Sequence, residues 1–195
     1  MLEQTLIALR VAWVTLAITG LLYPLIVTGL AQGIFPSQAN GSLVKDERGQ
    51  VVGSGLLGQA FPHPAYFQPR PSAAGQDYEG TTSGGSNLGP TSRTLRDRMA
   101  REMDRLRREN PDAPGPVPAE LVMASASGLD PHLSPAAALW QVPRVARARH
   151  LAPERVRRVV EEQIEERDLA ILGEPRVNVL QLNLSLDRHF GKPYS

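Results

Sequence analysis

The sequence predicts an α+β protein: one N-terminal transmembrane helix followed by a small loop-rich soluble domain with a short sheet and several helices. Three observations predict it. From Val11 to Phe35 no residue carries a charge. Beyond that run, much of the 17 Gly and 17 Pro of the 195 residues is spread through the chain and cuts it into short pieces. Between those breaks, apolar residues recur at helical spacing, mostly in the second half.

A helix over Val11 to Phe35 is roughly 37 Å long at ~1.5 Å per residue, enough to cross a hydrocarbon layer of about 30 Å. A cleaved signal peptide has a shorter apolar centre ending at a small-x-small site. This run is longer and lacks such a site, so an uncleaved anchor is expected. Residues 1–35 then form a tail and membrane helix, and residues 36–195 a soluble domain. Pro24 removes a backbone donor and kinks the helix, with Tyr23 and Thr28 near enough to satisfy the freed carbonyl. Gly29 and Gly33 have the small-xxx-small spacing that lets a second helix approach, and Gln32 can hydrogen-bond across such a contact. Arg10 and the amino terminus outweigh Glu3, whereas Lys45 and Arg48 are offset by Asp46 and Glu47. This leans towards a cytoplasmic N-terminus and a domain outside the cytoplasm.

In the soluble part, Gly41 to Val44 and Val51 to Ser54 flank a polar stretch of hairpin length. Phe61 to Gly89 is too dense in breakers for regular elements and reads as loop. After Pro90, Thr91 or Ser92 caps a helix with Leu95, Met99, Met103 and Leu106 on one face, ending by Asn110-Pro111. Its arginines alternate with acids, the pattern of a solvated face rather than a nucleic-acid patch. Glu120 to Ala126 is a short strand or buried segment. Ser134-Pro135 opens a helix over Ala136 to Gln141. Pro143 interrupts it, and a second short helix reaches His150. A further helix starts at Pro153 with Val156, Val159, Val160 and Ile164 on one face. Val177 to Leu186 mixes alternation with helical spacing, leaving strand and helix both open.

The net charge of +1 gives no general affinity for nucleic acid, and the lack of cysteine excludes disulfides, thiol catalysis and cysteine zinc sites. There is no phosphate-binding Gly-x-x-x-x-Gly-Lys-Ser/Thr loop, no paired-histidine metal motif and no Asp-Lys-Thr-Gly phosphorylation motif. Ser125, Ser127, Asp130 and His132 hold the residue types of a hydrolytic triad. Four neighbours in one Gly-containing loop are nevertheless better explained by caps and turns. Ser83, Gly84, Gly85, Ser86 and Asn87 have the composition of an anion-binding nest of successive N–H groups.

Several ordered blocks resemble one family. Val52-Gly53-Ser54-x-Leu56-Leu57-Gly58-Gln59, Tyr66-Phe67-x-x-Arg70-Pro71-Ser72-Ala73 and Ser83 to Leu88 are similar to KdpC, the C subunit of the bacterial Kdp potassium-transporting ATPase. So are Val117-Pro118-x-Glu120-Leu121-Val122, Ala124 to Pro131, Gln141 to Arg149 and Val177 to Asp187. The resemblance runs from the membrane helix to Asp187. It implies a single-pass, non-catalytic accessory subunit of the bacterial inner membrane, joined to a channel-like potassium-binding subunit and a P-type ATPase subunit. It also implies a catalytic-chaperone role that raises the ATP affinity of the ATPase subunit, with ATP met only in a ternary complex with that subunit. The Ser83 to Asn87 loop is then the candidate nucleotide or partner loop, Arg70 lies in a partner-facing loop, and Gly29, Gln32 and Gly33 face a membrane partner. Neither a metal nor a catalytic residue is expected. A membrane-anchored extracytoplasmic binding module and a tethered hydrolase are the competing readings.

Overall fold

The computed structural model describes residues 1–46 and 48–193. Glu47, part of the expected hairpin turn, lies outside the described residues. The chain divides into two units, Met1–Leu43 and Val44–Ser195.

The first unit is a helical run from Leu2 to Ile34, long and apolar enough to cross a membrane, with no buried residue. It comprises α1 (Leu2–Ala17), a π-turn (Ile18–Leu22) and α2 (Tyr23–Ile34). The helix begins nearer the N-terminus than the uncharged run because Arg10 and Glu3 limit hydropathy but not helix formation. Pro24 is accommodated differently from expectation. The backbone widens ahead of it, so that the Tyr23 N–H donates to Ile18 O. No side-chain hydrogen bond from Tyr23 or Thr28 is involved, because the wider turn rearranges the acceptors locally. A short α3 (Pro36–Ala39) follows. There the Asn40 amide donates to Pro36 O at 2.6 Å and to Gln32 Oε1 at 3.2 Å.

The second unit holds two small sheets. β1 (Leu43–Lys45) and β2 (Val51–Ser54) form the expected hairpin. Asp46 Oδ1 accepts from the backbone of Arg48 and Gln50, and Gly49 takes φ 76°. No helix or strand occurs from 55 to 92. α4 (Arg93–Glu109) is capped by Ser92, whose hydroxyl accepts from Leu95 N.

Glu120 to Ala126 is not a strand. The buried-segment reading holds: a 3₁₀ turn (Ala119–Leu121) leads into it, and Leu121 and Val122 are buried. The second sheet was not anticipated: β3 (His132–Leu133), β5 (Arg176–Asn178) and β4 (Ile164–Glu165) pair antiparallel in that order. His132 stands opposite Asn178, and Ile164 opposite Val177.

α5 (Pro135–Ala148) corrects the expectation of two short helices, for it runs unbroken through Pro143. A proline inside a helix costs about 3 kcal/mol. Here Trp140, Gln141, Val142, Arg144, Val145 and Ala146 are all buried on both sides of it, and breaking the helix would expose them. α6 (Pro153–Glu162) buries Val156, Val159 and Val160 as expected, but it ends before Ile164, which lies in β4 instead. The strand-or-helix ambiguity at 177–186 resolves into both. β5 ends at Asn178, whose side chain caps α7 (Val179–Phe190) by accepting from Gln181 N. The core gathers Phe67 from the loop with Leu133, Val142, Val145, Val156, Val160, Val177, Leu182 and Leu186.

Candidate functional site

The loop region from 55 to 92 is ordered by side chains reaching out of helices. Residues 63–66 form a turn closed by the Tyr66 N–H donating to His63 O at 3.1 Å, and no strand lies beside 67–68, so the remaining backbone groups of 64–68 need other partners. α5 and α7 supply them. Arg144 donates to Pro64 O at 2.6 Å and Tyr66 O at 3.0 Å. The Gln141 amide brackets Gln68, accepting from its N–H at 2.9 Å and donating to its carbonyl at 3.0 Å. Asn183 does the same for Phe67, at 2.8 and 3.0 Å. Arg149 donates to Ala65 O and to Asp187 Oδ1, both at 2.8 Å, while Asp187 Oδ2 accepts from the Tyr66 hydroxyl at 2.8 Å. The Arg149–Asp187 pair is nearly buried, with side chains 3% and 12% exposed.

Electrostatics follow from this packing. Burial without a carboxylate partner lowers the Arg144 guanidinium to about 10. Burial, reinforced by Asp187, raises the Tyr66 phenol to about 12. Because the folded value exceeds the ordinary one, this contribution to stability is complete below about pH 10 and is lost as pH rises towards the folded value. Tyr66→Phe is therefore expected to flatten the fall in stability between pH 10 and 12, read from urea midpoints at closely spaced pH values.

A second layer joins three of the family-like blocks. Arg70 pairs with Asp130 at 3.1 Å and donates to Ala124 O at 3.4 Å, and its own carbonyl accepts from the Tyr78 hydroxyl at 2.6 Å. Ser72 Oγ donates to Gly128 O at 2.7 Å and accepts from the backbone of Ala74 and Tyr78. The Gly84 N–H and the Ser83 hydroxyl both donate to Ser127 O, at 2.8 and 3.0 Å. Close approach makes some glycines obligatory. A Cβ on Gly58 would lie 2.7 Å from Asp130 O, and one on Gly85 2.8 Å from Ala126 O.

The candidate residues thus have definite surroundings. Arg70 is partly exposed and ties its own loop to the segment holding Ala124 and Asp130. In the Ser83 to Asn87 loop, the Gly84 N–H and Ser83 hydroxyl point at Ser127, Ser86 Oγ accepts weakly from Arg98 at 3.5 Å, and Asn87 sits at φ 50°. Those donors do not fit a phosphate without breaking the loop contact. Ser125, Ser127, Asp130 and His132 form no triad. Ser125 is buried, Ser127 Oγ accepts from Leu129 N, and Asp130 Oδ1 accepts from His132 N at 3.0 Å. The Asp130 carboxyl is held below its ordinary value by His132, whose Nδ1 stands 3.7 Å away, and by Arg70. Gly29 and Gly33 have open space where a Cβ would be, and the Gln32 amide pairs with Asn40.

Among the described residues no cluster of three His, Asp or Glu is placed to hold a metal. A cleft of about 390 Å³ is lined by Phe61, Gln68, Tyr78, Arg98, Glu102 and Arg105, among others. Arg105 there is already paired with Glu102 and Glu109. The arrangement fastens the loops to one another and to the helices.

Sequence reasoning missed the residues that do the fastening. Asn183 and Arg144 lie on the buried sides of α7 and α5, and polar residues among apolar neighbours at helical spacing were the available signal.

The family described as KdpC, K+-transporting ATPase, c chain, matches residues 5–188. The chain belongs to the KdpC family. A potassium-transporting ATPase KdpC subunit of Myxococcus xanthus is 65% identical over 191 residues, covering 98% of this chain and 90% of the relative. Those of Rhodospirillum rubrum and Bradyrhizobium diazoefficiens are 56% identical over 173 residues and 49% over 204. The alignments cover 89% and 98% of this chain, and 89% and 100% of the respective relatives. Membership in the KdpC family makes the chain a subunit of a potassium-transporting ATPase.

Proposed function

We propose that the chain is a non-catalytic, membrane-anchored accessory subunit of a high-affinity ATP-driven potassium uptake complex. Its partners are the channel-like potassium-binding subunit and the P-type ATPase subunit. It is needed for assembly and raises the ATP affinity of the ATPase subunit. The observation that carries this reading is the helical run from Leu2 to Ile34, largely apolar and with no buried residue, attached to a domain in which Ser125, Ser127, Asp130 and His132 form no triad. One helix cannot enclose a pore, and without a phosphorylation motif the chain cannot form a phosphoenzyme, so its contribution is to partners.

The N-terminus is cytoplasmic and the soluble domain lies outside, in the periplasm or its equivalent, a reading supported by the charge bias around the helix. From there the domain cannot meet cytoplasmic ATP. The inward-turned donors of the Ser83 to Asn87 loop likewise give no support to direct nucleotide contact. ATP affinity is then raised through the conformational equilibrium of the complex, which the chain biases by binding one state better than the other.

Single cysteines placed at Ser86 and Gln4 of this cysteine-free chain test the topology. A thiol reagent that cannot cross the inner membrane is expected to label residue 86 and spare residue 4 in intact cells. The reverse pattern would restore a cytoplasmic domain and direct contact with ATP.

A further inference from the structure

The turn between β4 and β5 breaks the local rules of its own geometry. Leu169 and Ala170 take φ 53° and 63°, consecutive left-handed conformations of the kind found in a primed hairpin turn. Ala170 N donates to Arg167 O, Ile171 N to Asp168 O, and Asp168 and Leu172 exchange two backbone hydrogen bonds at 2.9 Å. Such a turn favours Asn-Gly, and a side chain such as leucine costs roughly 1–2 kcal/mol in that conformation. Burial does not offset this, because Leu169, Ile171 and Leu172 are 83%, 76% and 55% exposed. Strain combined with exposed apolar side chains marks a surface made for contact.

Ion pairs span the base of the turn. Arg176 bridges Glu165 at 3.0 Å and Asp168 at 3.2 Å, and Arg167 meets Glu174 at 2.6 Å. Around the apolar tip stand Glu165, Glu166, Asp168 and Glu174 against Arg167 and Arg176, a net charge of −2 from four acids and two bases. An acidic rim is repelled by anionic lipid and drawn to a basic surface.

We propose that the tip Leu169-Ala170-Ile171-Leu172 is a docking knob for a protein partner that presents an apolar recess with a basic rim, on another subunit of the transport complex. The inference deepens the accessory role proposed above and rests on it.

The test replaces the knob by the residues its backbone favours. Full-length chain carrying Leu169→Asn with Ala170→Gly is co-expressed with the other subunits and purified through a tag on the chain. The expected result is a melting temperature at or above wild type together with at least tenfold lower retention of the partner subunits. Undiminished retention by this variant, with wild type retaining the subunits, would overturn the knob while leaving the accessory role intact. Wild type that retains no subunit would remove the accessory role itself.

Leu169→Cys carrying an environment-sensitive fluorophore separates the occupants. A blue shift is expected only in the assembled complex. A blue shift of the chain alone in nanodiscs containing anionic lipid would assign the tip to the bilayer, and one that grows with chain concentration would assign it to a second copy; either overturns the proposal.

Discussion

Gly128→Ala is expected to lower the melting temperature of the full-length chain in detergent more than any other glycine replacement in the loops. Gly128 has φ 69°, and a Cβ there would sit 2.6 Å from both Ala74 N and Gly84 O. The left-handed conformation alone costs an alanine about 1–2 kcal/mol. Overpacking adds about 1–3 kcal/mol, and here both obstructing atoms are backbone. Each of those atoms belongs to a loop tied to the 125–130 segment, so yielding to the Cβ also disturbs the Ser72–Gly128 and Gly84–Ser127 hydrogen bonds. Gly115→Ala is the control, since Gly115 has φ 71° and open space around it. The difference between the two melting temperatures isolates the close approach. Equal shifts would mean that the loops are not packed as described.

Asn183→Leu is expected to be as damaging although it preserves size and increases hydrophobicity. The Asn183 side chain is 1% exposed and satisfies both backbone groups of Phe67, which is itself fully buried. Leucine leaves one N–H and one carbonyl without partners in a dry interior, at about 1–3 kcal/mol each. Phe67 anchors the 64–68 segment into the core, so the loss should also release the segment from α7. Chemical denaturation gives the stability, and amide exchange at Phe67 gives the local effect. A slowly exchanging Phe67 amide in a variant of wild-type stability would contradict the assignment.

These two positions mark what sequence could and could not reveal. Ser92 before an amphipathic run, the hairpin lengths around Asp46, and the breakers from 61 to 89 are local signals, and the corresponding elements formed as expected. The open question at 177–186 was also local in origin. Two periods were present because a strand passes into a helix at Asn178.

What escaped depends on distant partners. Pro143 breaks a helix by propensity, yet burial on both its flanks holds α5 together. The two- and three-residue strands of the second sheet are too short to show a period, and only pairing between 132–133, 164–165 and 176–178 defines them. The pairing of Arg70 with Asp130 likewise joins loops far apart in sequence. The Ser83 to Asn87 segment was legible as loop. Its attachment to Ser127 was not, because backbone carbonyls leave no trace in composition.

The central claim, that this chain works through its partners and catalyses nothing alone, is most directly tested by potassium-stimulated ATP hydrolysis. The channel-like and ATPase subunits are purified from cells lacking the chain, and the full-length chain is added back in detergent. The account predicts no hydrolysis by the chain alone, severely reduced potassium-stimulated hydrolysis and a raised KM for ATP without it, and recovery on its addition. Unchanged assembly, rate and KM in its absence would contradict the account.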